Sequence, residues 1–350
     1  ILLCKTLAVV DIDRGIFGWW LSRQLRNLVH GGICLSRLHG ELGPQSSCGN
    51  VAYPPSVLRR RPLKSKTSGG DTTTLCKNIM LHPHILVTIT GANRGFGRAV
   101  AHAFTTSSAV SPPSRLTLIL IGRDTTALER VQAELKSETT KVVVVGDVQF
   151  DEIERTDEWL GKIQTAIEDV RETGPPITKA ILINNAASLG NLSQTVARYN
   201  WRDIKHYTDI NIVSFSALCS SFLSYFRPRT RSADDVHPFS PSLVIVNISS
   251  LLAIQAFPYW GLYSTAKAAR DQLLKVIALE EASNDVKTLS YAPGPLDNEM
   301  QRDVRNTLGD MEQKELYTKM HTEDSATKLV NLLLLTEAGF SSGTHIDFYD

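Results

Sequence analysis

The sequence predicts an α/β protein built on a doubly wound parallel sheet with a poorly ordered N-terminal extension. Three observations lead there. Short, nearly continuous apolar and β-branched runs recur from residue 84 onward, as expected for strands covered on both faces. Helical stretches separate them, which favours parallel strands joined by crossovers. The first run ends in a glycine-rich turn that leads straight into a helix.

The elements follow in order. His84-Ile85-Leu86-Val87-Thr88-Ile89-Thr90 reads as the first strand, and 95–105 as a helix. The run 116–121 is a second strand, followed by a helix near 125–137 and a strand at 141–145. A helix is expected over 151–172, then a strand at 180–183, helices near 201–226, and a strand at 243–248. The last pair read this way is a helix at 261–282 and a strand at 286–291. Segments 107–114 and 227–242, rich in Ser and Pro, read as surface loops. Right-handed crossovers line up the C-terminal ends of the strands on one edge, where ligands of such sheets bind.

Composition excludes several classes. The chain has 350 residues with 37 basic and 36 acidic side chains and 42% hydrophobic content, which argues against a collagen-like, coiled-coil or wholly disordered protein. Five cysteines are too sparse for a disulfide-stapled module. No run of about 18 uninterrupted apolar residues occurs, so no membrane-spanning helix is expected. Residues 1–84 differ from the rest: they hold 11 Lys or Arg against 4 Asp or Glu, four of the five cysteines, and no sustained periodicity. They read as a basic, disordered extension, with 85–350 as the folded domain. A mitochondrial transit peptide is the alternative reading of this Arg-rich, acid-poor segment, against a cytoplasmic default. The sequence opens on Ile1 rather than Met, so its natural start is expected to be missing or misassigned. Cys76, His82 and His84 lack a second ligand pair at zinc spacing, and no metal is expected. The basic segment has no interleaved aromatics, so no nucleic-acid partner is expected.

The turn Thr90-Gly91-Ala92-Asn93-Arg94-Gly95-Phe96-Gly97 suits a dinucleotide. Its glycines permit a tight turn, and the helix N-terminus offers N–H groups to a pyrophosphate. At the tip of the second strand, Arg123 together with Arg94 can clamp a 2′-phosphate, which favours NADP(H). Asp124 is the competing candidate, as the reader of an unphosphorylated ribose. Asp147-Val148 follows the third strand, where a carboxylate can accept from the adenine amino group. Asn184-Asn185-Ala186-Ala187 closes the fourth strand with small residues that leave room for adenosine and amides that can bridge strands.

Tyr263 and Lys267 share one face of a helix, and Ser250 ends the preceding strand 13 residues earlier. Reduction of a ketone needs a hydride donor at carbon and an acid at oxygen. A phenol with a pKa of about 10 is a poor acid–base at neutral pH, and a nearby lysine ammonium favours its anion. Ser250 can hold the carbonyl oxygen, Lys267 can anchor the nicotinamide ribose, and Asn211 can hold a water that resupplies protons.

The glycine turn, Asn184-Asn185-Ala186, Ser250 and Tyr263-x-x-x-Lys267, in this order over 85–350, resemble the short-chain dehydrogenase/reductase family. The resemblance implies a seven-stranded Rossmann sheet, a Ser–Tyr–Lys centre assisted by Asn211, and a homodimer. Ala187 departs from the glycine usual there. The stretches 247–251, 260–271, 291–300 and 343–350 resemble the members that reduce keto groups on a pterin side chain with NADPH. By that resemblance Ser250, Leu251, Tyr263, Gly294 and Asp347 contact the substrate, and Pro293, Gly294 and Leu296 to Gln301 cover the cofactor. Asp347 can accept paired donors of a pterin ring, while Leu251, Phe257, Trp260 and Met300 can supply apolar walls. A broader ketone or quinone reductase and a non-catalytic NADPH-binding regulator are the alternative functions. Ser264-Thr265 and the loop 227–242 are particular to this chain.

Overall fold

The computed structural model describes residues 83–110, 114–135, 137, 139–227, 240–308, 322–335 and 339–350. The extension before residue 83, with its targeting reading, lies outside the described residues, as does 228–239 of the expected loop.

Seven strands form one sheet: β1 His84–Thr90, β2 Arg115–Ile121, β3 Thr140–Val145, β4 Lys179–Asn184, β5 Ser242–Ile248, β6 Val286–Ala292 and β7 Thr344–Asp347. Their spatial order is β3-β2-β1-β4-β5-β6-β7. Every neighbouring pair is parallel. The order reverses between β1 and β4, which opens a crevice at the strand C-termini. The helices are α1 Gly95–Thr106, α2 Thr125–Leu135, α3 Thr156–Thr173, α4 Trp201–Thr208, α5 Ser214–Phe226, α6 Gly261–Glu280, α7 Glu299–Thr307 and α8 Thr322–Leu334.

Alternate strand residues feed two cores. Val87 and Ile89 join Val100, Phe104, Leu118, Leu120, Leu289 and Leu329 on the face covered by α1, α2 and α8. Leu86 joins Ile119, Leu182, Trp159, Ile163, Phe215 and Leu274 on the face covered by α3, α5 and α6. Burial of every β1 residue is why that strand reads as an unbroken apolar run.

Three expectations shift. The helix expected from 151 begins at Thr156, after a short 3-10 turn at Ile153–Arg155. The stretch 201–226 is α4 and α5 joined by one turn of π-helix, Asp209–Val213. The helix expected to run to 282 ends at Glu280. Among the described residues no helix is long and apolar enough to cross a membrane. His84 is buried, with its ring nitrogens 2.8 Å from the Pro175 carbonyl and 2.9 Å from the Thr117 hydroxyl.

Candidate active site

The crevice begins at the glycine turn. Gly91 and Gly95 have φ of +65° and +53°, a region side chains disfavour. A Cβ on Gly97 would lie 2.4 Å from the Gly91 carbonyl oxygen, so α1 meets the turn more closely than any side chain permits. The α1 N-terminus has no side-chain cap, whereas Asp124 caps α2 by accepting from the Ala127 N–H at 2.9 Å. Uncapped N–H groups of the helix beside a glycine-rich turn fit a pyrophosphate.

Around this turn the expected cofactor residues divide. Asn93 reaches towards Gly122, at the foot of Arg123. Arg123 is exposed and has no partner among the described residues. Arg94 instead pairs with Glu299 on α7, which brings the segment after β6 against the glycine turn. The Phe96 side chain is buried and stacks on Tyr291 with centroids 6.3 Å apart, leaving only its main chain for a ligand.

The Asp147 carboxylate is drawn to Lys162 at 3.0 Å and Arg155 at 3.2 Å, and these bonds hold its pKa below the ordinary value. The Val148 N–H is spent on the Gly122 carbonyl. Asn184 turns into the core, donating to the Cys219 sulfur at 3.6 Å, and so does not line the crevice. Its neighbour Asn185 is the bridging amide, donating to the Thr90 and Gly91 carbonyls at 2.9 and 3.1 Å. The Thr90 hydroxyl in turn accepts from the Asn185 and Ala186 N–H groups, each at 3.0 Å.

At the end of β5 the expected centre assembles. Lys267 is buried and its Nζ donates to the Ile248 carbonyl at 2.5 Å. The same nitrogen lies 5.4 Å from the Tyr263 ring centroid. The Ser250 hydroxyl accepts from the Leu252 N–H at 3.2 Å and bears on the Tyr263 phenol. Burial pushes that phenol up to about 12, against the pull of Ser250 and Arg270. Burial, with the Arg270 charge, pulls Lys267 down to about 7. Arg270 is thus a second cation that favours the Tyr263 phenolate, beside the lysine one turn away.

Asn211 lies in the π-turn, a break in regular helix of the kind found at functional sites. Its side-chain Oδ1 accepts from the Ser188 N–H and its Nδ2 donates to the Tyr207 carbonyl, both at 3.0 Å. The Asn211 carbonyl accepts from Arg270.

Trp260 stands edge-on to Tyr263 with centroids 5.3 Å apart, and both join Leu192, Val304 and Leu308 in an apolar cluster edged by Phe257. Leu251 is half-buried and Met300, on α7, is exposed. Gly294, with φ +77°, and Leu296 follow β6, and Leu296 packs into the core. Asp347 ends β7, paired in register with Ala292 two residues before Gly294. Burial raises its pKa from the ordinary value, and its Oδ1 accepts from the Tyr349 N–H at 3.1 Å. Arg270, Asp271, His345 and Leu192 belong to this neighbourhood without having been singled out from the sequence.

The short-chain dehydrogenase family model matches residues 85–309. Sepiapterin reductase of Meriones unguiculatus is 39% identical over 277 residues, covering 75% of this chain and 95% of that protein. The Mus musculus enzyme of the same name is 37% identical over 275 residues, with the same coverage. Among solved structures, L-sorbose reductase from Gluconobacter frateurii, complexed with NADPH and L-sorbose, superposes with a TM-score of 0.58 at 19% identity. That match covers 76% of this chain and 95% of the other, and it supports the fold alone. The chain belongs to the short-chain dehydrogenase family. Within it, the chain is an NADP(H)-dependent oxidoreductase of the sepiapterin reductase type, acting on a carbonyl or hydroxyl group of a small molecule.

Proposed function

We propose that the chain reduces a side-chain keto group of a pterin, sepiapterin or a close relative, and that Ser250, Tyr263 and Lys267 carry the chemistry. The gathering of these three at the end of β5, beside the apolar cluster of Trp260, supports this reading most strongly.

NADPH, when bound, supplies the hydride. Main-chain groups of the turn from Gly91 to Gly97 hold its pyrophosphate, and Pro293, Gly294 and Leu296 border it. Ser250 donates a hydrogen bond to the substrate carbonyl oxygen and stabilises the charge that develops there. The Tyr263 phenol gives its proton to the same oxygen. Lys267 orients the ribose hydroxyls, and in its ammonium form it passes a proton to the Tyr263 phenolate and regains one from solvent. The Trp260 and Phe257 rings keep water from the phenol.

Purified full-length chain is expected to oxidise NADPH only when sepiapterin is added, followed by loss of NADPH absorbance. A chain that binds NADPH but turns over no carbonyl compound would overturn the reading in favour of a regulator. Arg123→Ala is expected to raise the NADPH KM about tenfold, the size of one lost charge-assisted contact, and to leave the NADH KM unchanged. Equal effects on both cofactors would remove Arg123 from the 2′-phosphate. Asp347→Ala is expected to raise the KM for sepiapterin about tenfold with kcat little altered, as loss of paired hydrogen bonds to a charged acceptor would do. An unchanged KM points to the broader ketone or quinone reductase. A homodimer completes the proposal. Trp201, 64% exposed on α4, and the neighbouring Ile204 are apolar residues that a second copy would cover, and sedimentation equilibrium should give twice the chain mass.

A further inference from the structure

We propose that Arg270 is a positioning residue for the reduction: its guanidinium, wedged between the Asn211 and Ala186 carbonyls on the face of α6 that carries Tyr263 and Lys267, sets the charge balance of that pair. The proposal rests on the reading of Tyr263 and Lys267 given above and extends it to a third member.

The placement is unusual for an arginine. Arg270 is 2% exposed, although arginine is rarely buried unless paired with an acid. Among the described residues no carboxylate lies within ion-pair distance of it. Its Nε donates to the Asn211 carbonyl, and Nη1 and Nη2 both donate to the Ala186 carbonyl at 3.3 Å. The guanidinium lies over the Phe215 ring, 4.8 Å from its centroid. A buried cation without a partner acid is costly, and a neutral side chain could fill the same space more cheaply. Its neighbours suggest what the charge is for. Tyr207 faces it from α4, Cys219 from α5, and Tyr263, Lys267 and Asp271 from α6 itself. Burial depresses the guanidinium to about 10, so it stays charged through the neutral range.

A fixed cation favours the phenolate of Tyr263 and disfavours the ammonium of Lys267. It thereby moves the loss of a proton from either group to lower pH. The three bonds to these two carbonyls also tie the π-turn and the segment after β4 to the helix that carries the chemistry.

The test uses the full-length chain free of cofactor. Lysines labelled with ¹³C at Cε are titrated by NMR, with the Lys267 signal identified by its loss in Lys267→Arg. Arg270→Gln retains hydrogen-bonding capacity without charge, and the Lys267 midpoint is expected to rise by about one pH unit. Arg270→Lys retains the charge, and the midpoint is expected to stay where it is in the native chain. An unmoved midpoint in folded Arg270→Gln overturns the proposal. So does a raised midpoint in Arg270→Lys, which decides the question alone if the Gln variant fails to fold. The pH profile of alcohol oxidation is the second readout: its ascending limb moves to higher pH in Arg270→Gln, whereas a purely structural residue would lower the rate equally at every pH. Tyr263→Phe in the same series keeps the two readings apart. Undiminished turnover there removes the phenol as acid, while the Lys267 midpoints still report on Arg270.

Discussion

Tyr263→Phe is expected to lower kcat for sepiapterin reduction by about a thousandfold, near the middle of the range for loss of a general acid and equivalent to about 4 kcal/mol of barrier. The phenylalanine ring fills the same space, edge-on to Trp260, so the apolar cluster keeps its packing. Only the hydroxyl disappears, and with it the proton donor that Ser250 contacts. NADPH affinity should change little, because the glycine turn and Arg123 are untouched. Stopped-flow turnover with a separate fluorescence titration of NADPH distinguishes these effects. Turnover within threefold of the native chain would remove the phenol from the chemistry, and a parallel loss of NADPH binding would show that the substitution disturbed the site.

The parts of this architecture visible in the sequence are those whose physics is local. Strands β1, β2, β4 and β5 are buried on both faces, and their unbroken apolar runs announce them. Tyr263 and Lys267 reveal their common face through helical spacing alone. β7 has no such signal: Thr344-His345-Ile346-Asp347 is half-buried throughout and mostly polar, and its pairing with β6 is a tertiary choice. The π-turn was hidden because 201–226 carries one continuous helical pattern. The inward turn of the Asn184 side chain has a reason the strand itself contains. Asn184 shares the face of Ala180 and Leu182, which point to the core containing Cys219, so the period of two already directed it away from the crevice. Arg270 and Asp271 carry no signal of burial in the sequence, because charged residues are seldom buried. Their spacing of seven and eight residues from Tyr263 nevertheless placed them on its face, two turns along.

Asp271→Ala is expected to destabilise the fold by about 3–5 kcal/mol, the cost of leaving several buried donors without their acceptor. Asp271 is buried on α6, yet four groups from outside that helix converge on it. Its Oδ1 accepts from Asn247 Nδ2 at 2.9 Å, and its Oδ2 accepts from the Ser249 hydroxyl at 2.9 Å and His345 Nδ1 at 2.7 Å. Ser290 on β6 bonds to it as well. One carboxylate thus ties β5, β6 and β7 to the helix carrying Tyr263, and the alanine variant loses all four bonds together. At about 2–4 °C per kcal/mol for a domain of this size, the midpoint of thermal unfolding should fall by about 10 °C. Burial alone would raise the pKa of this carboxyl, but the His345, Ser290 and Ser249 bonds outweigh it and hold it below the ordinary value. A depressed folded pKa contributes stability in full above the unfolded value of about 3.9, and that contribution fades as pH falls through the lower folded value. Asp271→Asn, which keeps the shape without the charge, should therefore lose less stability than the alanine variant and show a flatter acid limb in urea unfolding. An alanine variant as stable as the native chain would show that these bonds merely replace equivalent ones to water. If the variant is folded but loosened, the KM for sepiapterin should rise with little change in NADPH affinity, because His345 stands two residues before Asp347 and its bond to Asp271 is what fastens β7 to the helix.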